Sequence, residues 1–204
     1  TWATVTVGAS ATCAISPDND AYCWGANDSG QLGDASTITR LVPTLVGGNG
    51  WPTLAAGGGH TCGAAFANLA GAIAKCWGYN SDGQLGDGTN TSRPAPTAVI
   101  ADPGWAQLAS GYNHSCAITS AGAPYCWGQN TSGQVGDGSL VSRSQPAAVS
   151  GGYTFGSVTA GSFHSCGVTV AGVGYCWGTN SDGQLGNAST TTSTTPVAVT
   201  GSLT

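Results

Sequence analysis

Three histidines stand two residues before a cysteine, at His60/Cys62, His114/Cys116 and His164/Cys166. His-x-Cys is half of a tetrahedral zinc site, so metal binding is the first chemistry to weigh. Against it, Ala11 occupies the same phase ahead of Cys13. Each cysteine has a partner close by, and the thiols of an exported chain oxidise. The histidines are expected to be structural, bonded to backbone. A second candidate is calcium, because Asn-Ser-Asp-Gly at 80–83 and 180–183, with Asp87 near the first, has the look of an oxygen-rich loop with a Gly turn. The first acidic ligand is missing, since Gly78 and Gly178 stand there, and Asn-x-Asp-Gly is also ordinary turn chemistry. Calcium is the one cofactor the pattern leaves open, and none is expected otherwise. No Ser/His/Asp or paired-carboxylate cluster stands apart, because nearly every polar candidate recurs once per repeat, whereas a catalytic site is a single asymmetric cluster. Asn27, Asn90, Asn113, Asn130 and Asn187 each begin an Asn-x-Ser/Thr sequon, a handle for glycosylation in an exporting cell or a by-product of a composition rich in Asn, Ser and Thr.

These residues are carried by one phrase used four times: Cys23-Trp24-Gly25, Cys76-Trp77-Gly78, Cys126-Trp127-Gly128 and Cys176-Trp177-Gly178. A period near 50 residues means one supersecondary unit repeated rather than a single irregular globule. The repeats run 1–50, 51–104, 105–154 and 155–204. Their eight cysteines pair as Cys13/Cys23, Cys62/Cys76, Cys116/Cys126 and Cys166/Cys176, a disulfide framework that points to an extracellular chain. Four Lys and Arg against nine Asp and Glu leave no basic stripe for nucleic acid. No apolar run is long enough to span a bilayer as a helix. Residues 1–20 lack the pattern of a signal peptide, and with no Met in the chain the sequence is expected to be processed or cut from something longer.

The third repeat shows the local pattern most clearly. Short runs at 105–111, 114–119 and 124–128 are separated by Gly-containing turns, with no helical periodicity, and a fourth strand is expected at 146–149. The middle two form a hairpin centred near Ala121, which sets Cys116 opposite Cys126 and Ile118 opposite Pro124, as a non-hydrogen-bonded pair if strain is to be avoided. Repeat two keeps both cysteines around a tip four residues longer, within 66–74. Four strands per repeat is the arithmetic of propeller blades. The fold class is therefore all-β, four blades in an open arc or part of a larger propeller or assembly. Trp2, Trp51, Trp105 and Phe155 open the repeats, and Trp24, Trp77, Trp127 and Trp177 close the third strands, all eight as core aromatics.

The phrase Trp77-Gly-Tyr-Asn-Ser-Asp-Gly-Gln-Leu-Gly86 and its counterparts in all four repeats resemble the regulator of chromosome condensation repeat family, as does the His-Ser/Thr strand before the phrase in repeats two to four. The resemblance implies blades that usually close a seven-membered ring. It spans a nuclear exchange factor, a role that the cysteines and the acidic balance argue against, and secreted bacterial propellers, including an inhibitor of β-lactamases. Function is thus weakly constrained by the fold.

Two further patterns bear on function. Repeat phase survives joining the end of the chain to its start, since Val199 would precede Trp2 at nearly the spacing of Val46 to Trp51. An Arg follows an Asp by six positions at Asp34/Arg40, Asp87/Arg93 and Asp137/Arg143, a pair expected to brace a long loop, whereas repeat four has Asn187 and Ser193. The expected function is a non-catalytic extracellular structural protein that self-assembles with its own copies through the end blades, with a filament as one product. The alternative is a secreted binding module that recognises a protein or glycan through loops 34–44, 87–96 and 137–146.

Overall fold

A computed structural model describes all residues except 49, 67–71, 102 and 202–204, and leaves the side chains of 66 and 72 aside. Each repeat folds as one four-stranded antiparallel meander. The first is built from β1 (Thr4–Val7), β2 (Ala11–Ile15), β3 (Ala21–Gly25) and β4 (Arg40–Leu45), and the second from β5 (Thr53–Ala56), β6 (His60–Phe66), β7 (Ala72–Gly78) and β8 (Arg93–Ala98). The third contains β9 (Trp105–Ser110), β10 (His114–Thr119), β11 (Pro124–Gly128) and β12 (Arg143–Ala148); the fourth contains β13 (Phe155–Ala160), β14 (His164–Thr169), β15 (Gly174–Gly178) and β16 (Ser193–Ala198). The first strands contact one another from sheet to sheet, β1 with β5, β5 with β9 and β9 with β13. The axis of the arc therefore runs beside them, and the sheets are the blades of a partial propeller.

The hairpin register places Cys116 opposite Cys126 and Ile118 opposite Pro124. Disulfides join Cys13 to Cys23, Cys62 to Cys76, Cys116 to Cys126 and Cys166 to Cys176. Cα separations of 4.0–4.1 Å belong to the narrow kind of antiparallel pair. The longer tip of repeat two, at 67–71, lies outside the described residues.

The phrase Cys-Trp-Gly has a geometric cause. In all four third strands the register to the fourth strand shifts between the Cys and the Gly, so each Trp sits in a bulge. The Gly that follows has φ between +99° and +109°, a conformation that penalises a Cβ. The outer strand differs from expectation: β12 starts at Arg143 and ends before Val149. Arg, Ser and Gln at its start carry no apolar signal, and the strand is set by pairing Gly128 with Arg143.

Candidate functional site

Burial in this molecule is concentrated between sheets. The first junction packs Cys13, Cys23, Leu32 and Val46 of the first sheet against Trp51, Ala65 and Trp77 of the second. The second packs Cys62, Cys76, Leu85 and Val99 against Trp105, Ala117 and Trp127; the third sets Cys116, Cys126, Val135 and Val149 against Phe155, Val158 and Trp177. One side of every blade thus offers a disulfide flanked by aliphatic residues, and the other side offers aromatic rings.

A polar node is buried inside each junction. The Trp77 indole N–H and the Thr61 hydroxyl both donate to the Gln31 carbonyl, each at 3.0 Å. Trp127 and Ser115 converge on the Gln84 carbonyl at 2.9 and 2.8 Å, and Trp177 and Ser165 on Gln134 at 2.9 Å each. The Trp rings lie across Gly33, Gly86 and Gly136, where an added Cβ would come within 2.6–2.7 Å of the indole nitrogen. The Gly that ends each Gln-aliphatic-Gly stretch is therefore the seat of the next blade's Trp.

The histidines complete these nodes and correct the expectation of backbone partners. His60 Nε2 lies 2.9 Å from Ser115 Oγ, and His114 Nε2 lies 2.8 Å from Ser165 Oγ, each on the next blade. Because each serine gives its only hydrogen to a Gln carbonyl, the imidazole must donate, which fixes the Nε2–H tautomer. Burial drives the His60 pKa down to about 4 and that of His114 to about 3, the latter aided by the neighbouring histidines. Both Nδ1 atoms are buried without a partner, so a second proton would have nowhere to donate. His164, at the same phase in the last blade, is only half-buried, and its pKa is lowered less completely, by burial alone. Among the described residues no cluster of three or more His, Cys, Asp or Glu could hold a metal ion.

The loops with calcium-like spelling are closed by their own asparagines. The Asn80 amide nitrogen donates to Asp87 Oδ1 at 3.2 Å and to the carbonyls of Thr89 and Thr91 at 3.0 Å, while its oxygen accepts from the Leu85 N–H at 2.9 Å. The loop oxygens converge on the Asn80 amide nitrogen. Asn27, Asn130 and Asn180 do the same in their repeats. This corrects two of the sequons: Asn27 and Asn130 are fully buried with their amide nitrogens engaged, so a glycan cannot be attached in the folded chain. Asn90 is exposed, while Asn113 and Asn187 are half-buried. The Asp/Arg pairs brace the same loops, at 2.7 Å for Arg40 with Asp34, 2.9 Å for Arg93 with Asp87 and 2.6 Å for Arg143 with Asp137. Burial opposes ionisation of these carboxylates, but hydrogen bonds from the following hydroxyl residue and the Arg outweigh it and hold each pKa below its ordinary value. In repeat four Asn187 replaces the Asp and accepts from Asn180.

The two outer faces of the arc differ from the junctions. On the first sheet, Trp24 is half-buried, not fully enclosed like Trp77, Trp127 and Trp177, and Trp2 is 49% exposed, unlike Trp51 and Phe155; the expectation of eight core aromatics fails at these two. Both rings stay together, with centroids 6.1 Å apart. Leu41 is 91% exposed beside them in sequence phase, and Val5, Val7 and Val42 are exposed too. On the last sheet, Val199 is 44% exposed where Val46, Val99 and Val149 are buried, and Val168 is exposed where Ile15 and Ile118 are buried. Cys166 is half-buried, and a cavity of about 150 Å³ opens over the Cys166–Cys176 bridge, bounded by Val168, Gly174, Tyr175 and Val199.

The sequence signature described as the regulator of chromosome condensation (RCC1) repeat matches residues 18–64, 76–118, 122–168 and 172–204. A 126-residue stretch is 32% identical to the ultraviolet-B receptor UVR8 of Arabidopsis thaliana, covering 59% of this chain and 28% of the receptor. Prp20p from Saccharomyces cerevisiae superposes with a TM-score of 0.85 at 21% identity over 100% of this chain and 51% of its own, and human WBSCR16 with 0.86 at 22% over 98% and 53%. The chain spans under a third of the receptor and about half of these two solved chains. The repeats, the paired strands and the Trp-Gly bulges place this chain in the regulator of chromosome condensation (RCC1) repeat family.

Proposed function

We propose that this chain is a non-catalytic extracellular structural protein that assembles with copies of itself through its end blades. One observation carries the reading: the outer faces of the first and last sheets leave aromatic and aliphatic residues in water that every internal junction buries. Apolar area of this kind favours a partner. Four disulfides in a chain with so few charged residues support an extracellular setting, and the low charge means weak self-repulsion between copies. No helix among the described residues is long and apolar enough to cross a membrane.

Full-length superposition on Prp20p means that successive blades turn as they do in that propeller. Four blades with that turn form an arc of the seven-bladed ring that the family resemblance implies. Arcs that join through their end blades without closing would give a helical filament as one product. Negative-stain electron microscopy of the unreduced protein tests this: filaments of regular axial repeat are expected, and single arcs at high concentration would contradict it.

A second reading has its own support. Ile38 on loop 34–44, and Leu140 and Val141 on loop 137–146, are more than half exposed. A binding module for a protein or glycan would use such loops. Capture of a ligand by a chain whose end faces are blocked would favour it.

A further inference from the structure

We infer that the chain carries a pocket for one neutral sugar ring, on the side of the arc where the blades turn from their first strand to their second. Ser29 of the first blade, Gly58, Gly59 and Tyr79 of the second, and Tyr112 and Asn113 of the third line a cavity of about 270 Å³ there. Two internal junctions hold these three blades together, so the pocket does not depend on the outer faces of the first and last sheets. The inference is separate from the proposed self-assembly, and its site differs from the loops of the binding-module reading.

Departure from the repeat marks the site. The junctions use the same residue types each time, as repeated packing requires. The position after Trp-Gly instead reads Ala26, Tyr79, Gln129 and Thr179, and the pair in the first turn reads Ala9-Ser10, Gly58-Gly59, Tyr112-Asn113 and Ser162-Phe163. The odd members of both sets meet in one place. The Tyr79 N–H donates to the Gly59 carbonyl at 2.8 Å, and the Gly58 N–H donates to the carbonyls of Gly111 and Tyr112 at 3.1 Å each. A Cβ on Gly58 would come within 2.4 Å of the Tyr112 carbonyl oxygen and 2.9 Å of the Tyr112 ring, and one on Gly59 within 3.3 Å of Tyr79 Cβ. A turn without side chains is thus flanked by tyrosines from two blades.

Neighbouring groups hold the polar and aromatic walls in place. The Tyr79 hydroxyl is hydrogen-bonded to Ser81, and the Tyr112 ring packs on Phe163 with centroids 6.0 Å apart. Tyr112 nevertheless keeps 48% of its surface in water. The Asn113 amide nitrogen donates to Asp82 Oδ2 at 3.2 Å, which orients the amide.

Ligand class follows from this lining. A pyranose has C–H groups on its faces and hydroxyls around its rim. The negative face of an aromatic ring attracts the former, while the Asn113 amide, the Ser29 hydroxyl and the backbone of the turn can bond the latter. No charged side chain lines the cavity. An ammonium or phosphate ligand would lose water there without gaining a counter-charge, which favours a neutral ligand. Small-molecule clefts start at about 300 Å³, so the volume suits one ring rather than an extended chain.

Saturation-transfer difference NMR on the full chain, with the methyl glycosides of glucose, galactose, mannose and N-acetylglucosamine, tests the inference. Transfer to the ring C–H protons of at least one glycoside is expected. Tyr112→Ala and Tyr79→Ala, each confirmed as folded by its melting curve, should raise the dissociation constant of that glycoside by about tenfold. Tyr112→Phe keeps the ring and should bind as the wild type does. No transfer to any of the four glycosides would overturn the inference, as would equal transfer in the wild type and both alanine variants. Binding of choline chloride in their place would overturn the neutral ligand class. None of these results bears on self-assembly, which is read separately from the mass of the particles.

Discussion

Trp127 and Trp24 occupy the same place in their sheets, each in a bulge before a Gly, yet Trp127 is sealed and Trp24 is half-buried. The first bonds the Gln84 carbonyl of the preceding blade; the second lies on the outer face of the first described sheet. The contrast shows that burial here belongs to junctions rather than to blades. A single sheet has two half-interfaces of different chemistry and is complete only between neighbours, as in other repeat architectures.

The largest expected break in that comparison is Trp127→Ala, which removes a buried ring and one of the two hydrogen bonds to the Gln84 carbonyl. It should destabilise the fold by about 3–5 kcal/mol in chemical denaturation, whereas Trp24→Ala should cost under about 1 kcal/mol in the monomer while abolishing assembly. Equal costs would mean that the outer face is as packed as the junctions.

Acid comes next. His60 and His114 have folded pKa values depressed below the unfolded value, so the unfolded chain binds more protons and stability falls as pH drops. The loss begins below about pH 6.5 and continues towards the folded values, reaching on the order of 3 kcal/mol per ring by pH 4. Urea titrations across pH 7 to 4 should show this slope flatten in a His60→Gln/His114→Gln double variant and persist in His164→Gln.

The disulfides sharpen the contrast kinetically. Cys13, Cys62 and Cys116 are fully buried and Cys166 is not, so brief reduction followed by alkylation and mass spectrometry should label the Cys166–Cys176 bridge first. The smallest effect is expected from Asp137→Asn, about 1 kcal/mol, because Asp137 is nearly buried but its Arg143 partner is 41% exposed and screened. Asn187 already stands at that phase in repeat four, so adding Ser193→Arg there should change melting little.

Much of the fold was legible because it is local. Hairpin register follows from the spacing of Cys116 and Cys126 around one turn, and the Asp/Arg pairs are six residues apart. What escaped is what depends on rotation from one blade to the next. The Ser115 hydroxyl that receives the His60 proton lies 55 residues away, and no pattern within one repeat announces it. The loop asparagines read as sequons or calcium ligands because sequence shows their polarity and not the ring of carbonyls around Asn80 and Asn130. Trp2 and Trp24 share the residue type and phase of buried rings, so only their position at the outer face of the first sheet separates them. A signal lies in the recurring Gln before each Leu/Val-Gly, whose carbonyl serves every internal junction.

The most direct test of the account is oxidative footprinting of Trp2 and Trp24 as concentration rises, with Trp77, Trp127 and Trp177 as buried internal standards. Assembly through the end blades predicts that Trp24 falls to the reactivity of the standards and that Trp2 falls with it, in step with the mass of the assemblies. Assemblies that grow while both residues keep their dilute-state reactivity would contradict it.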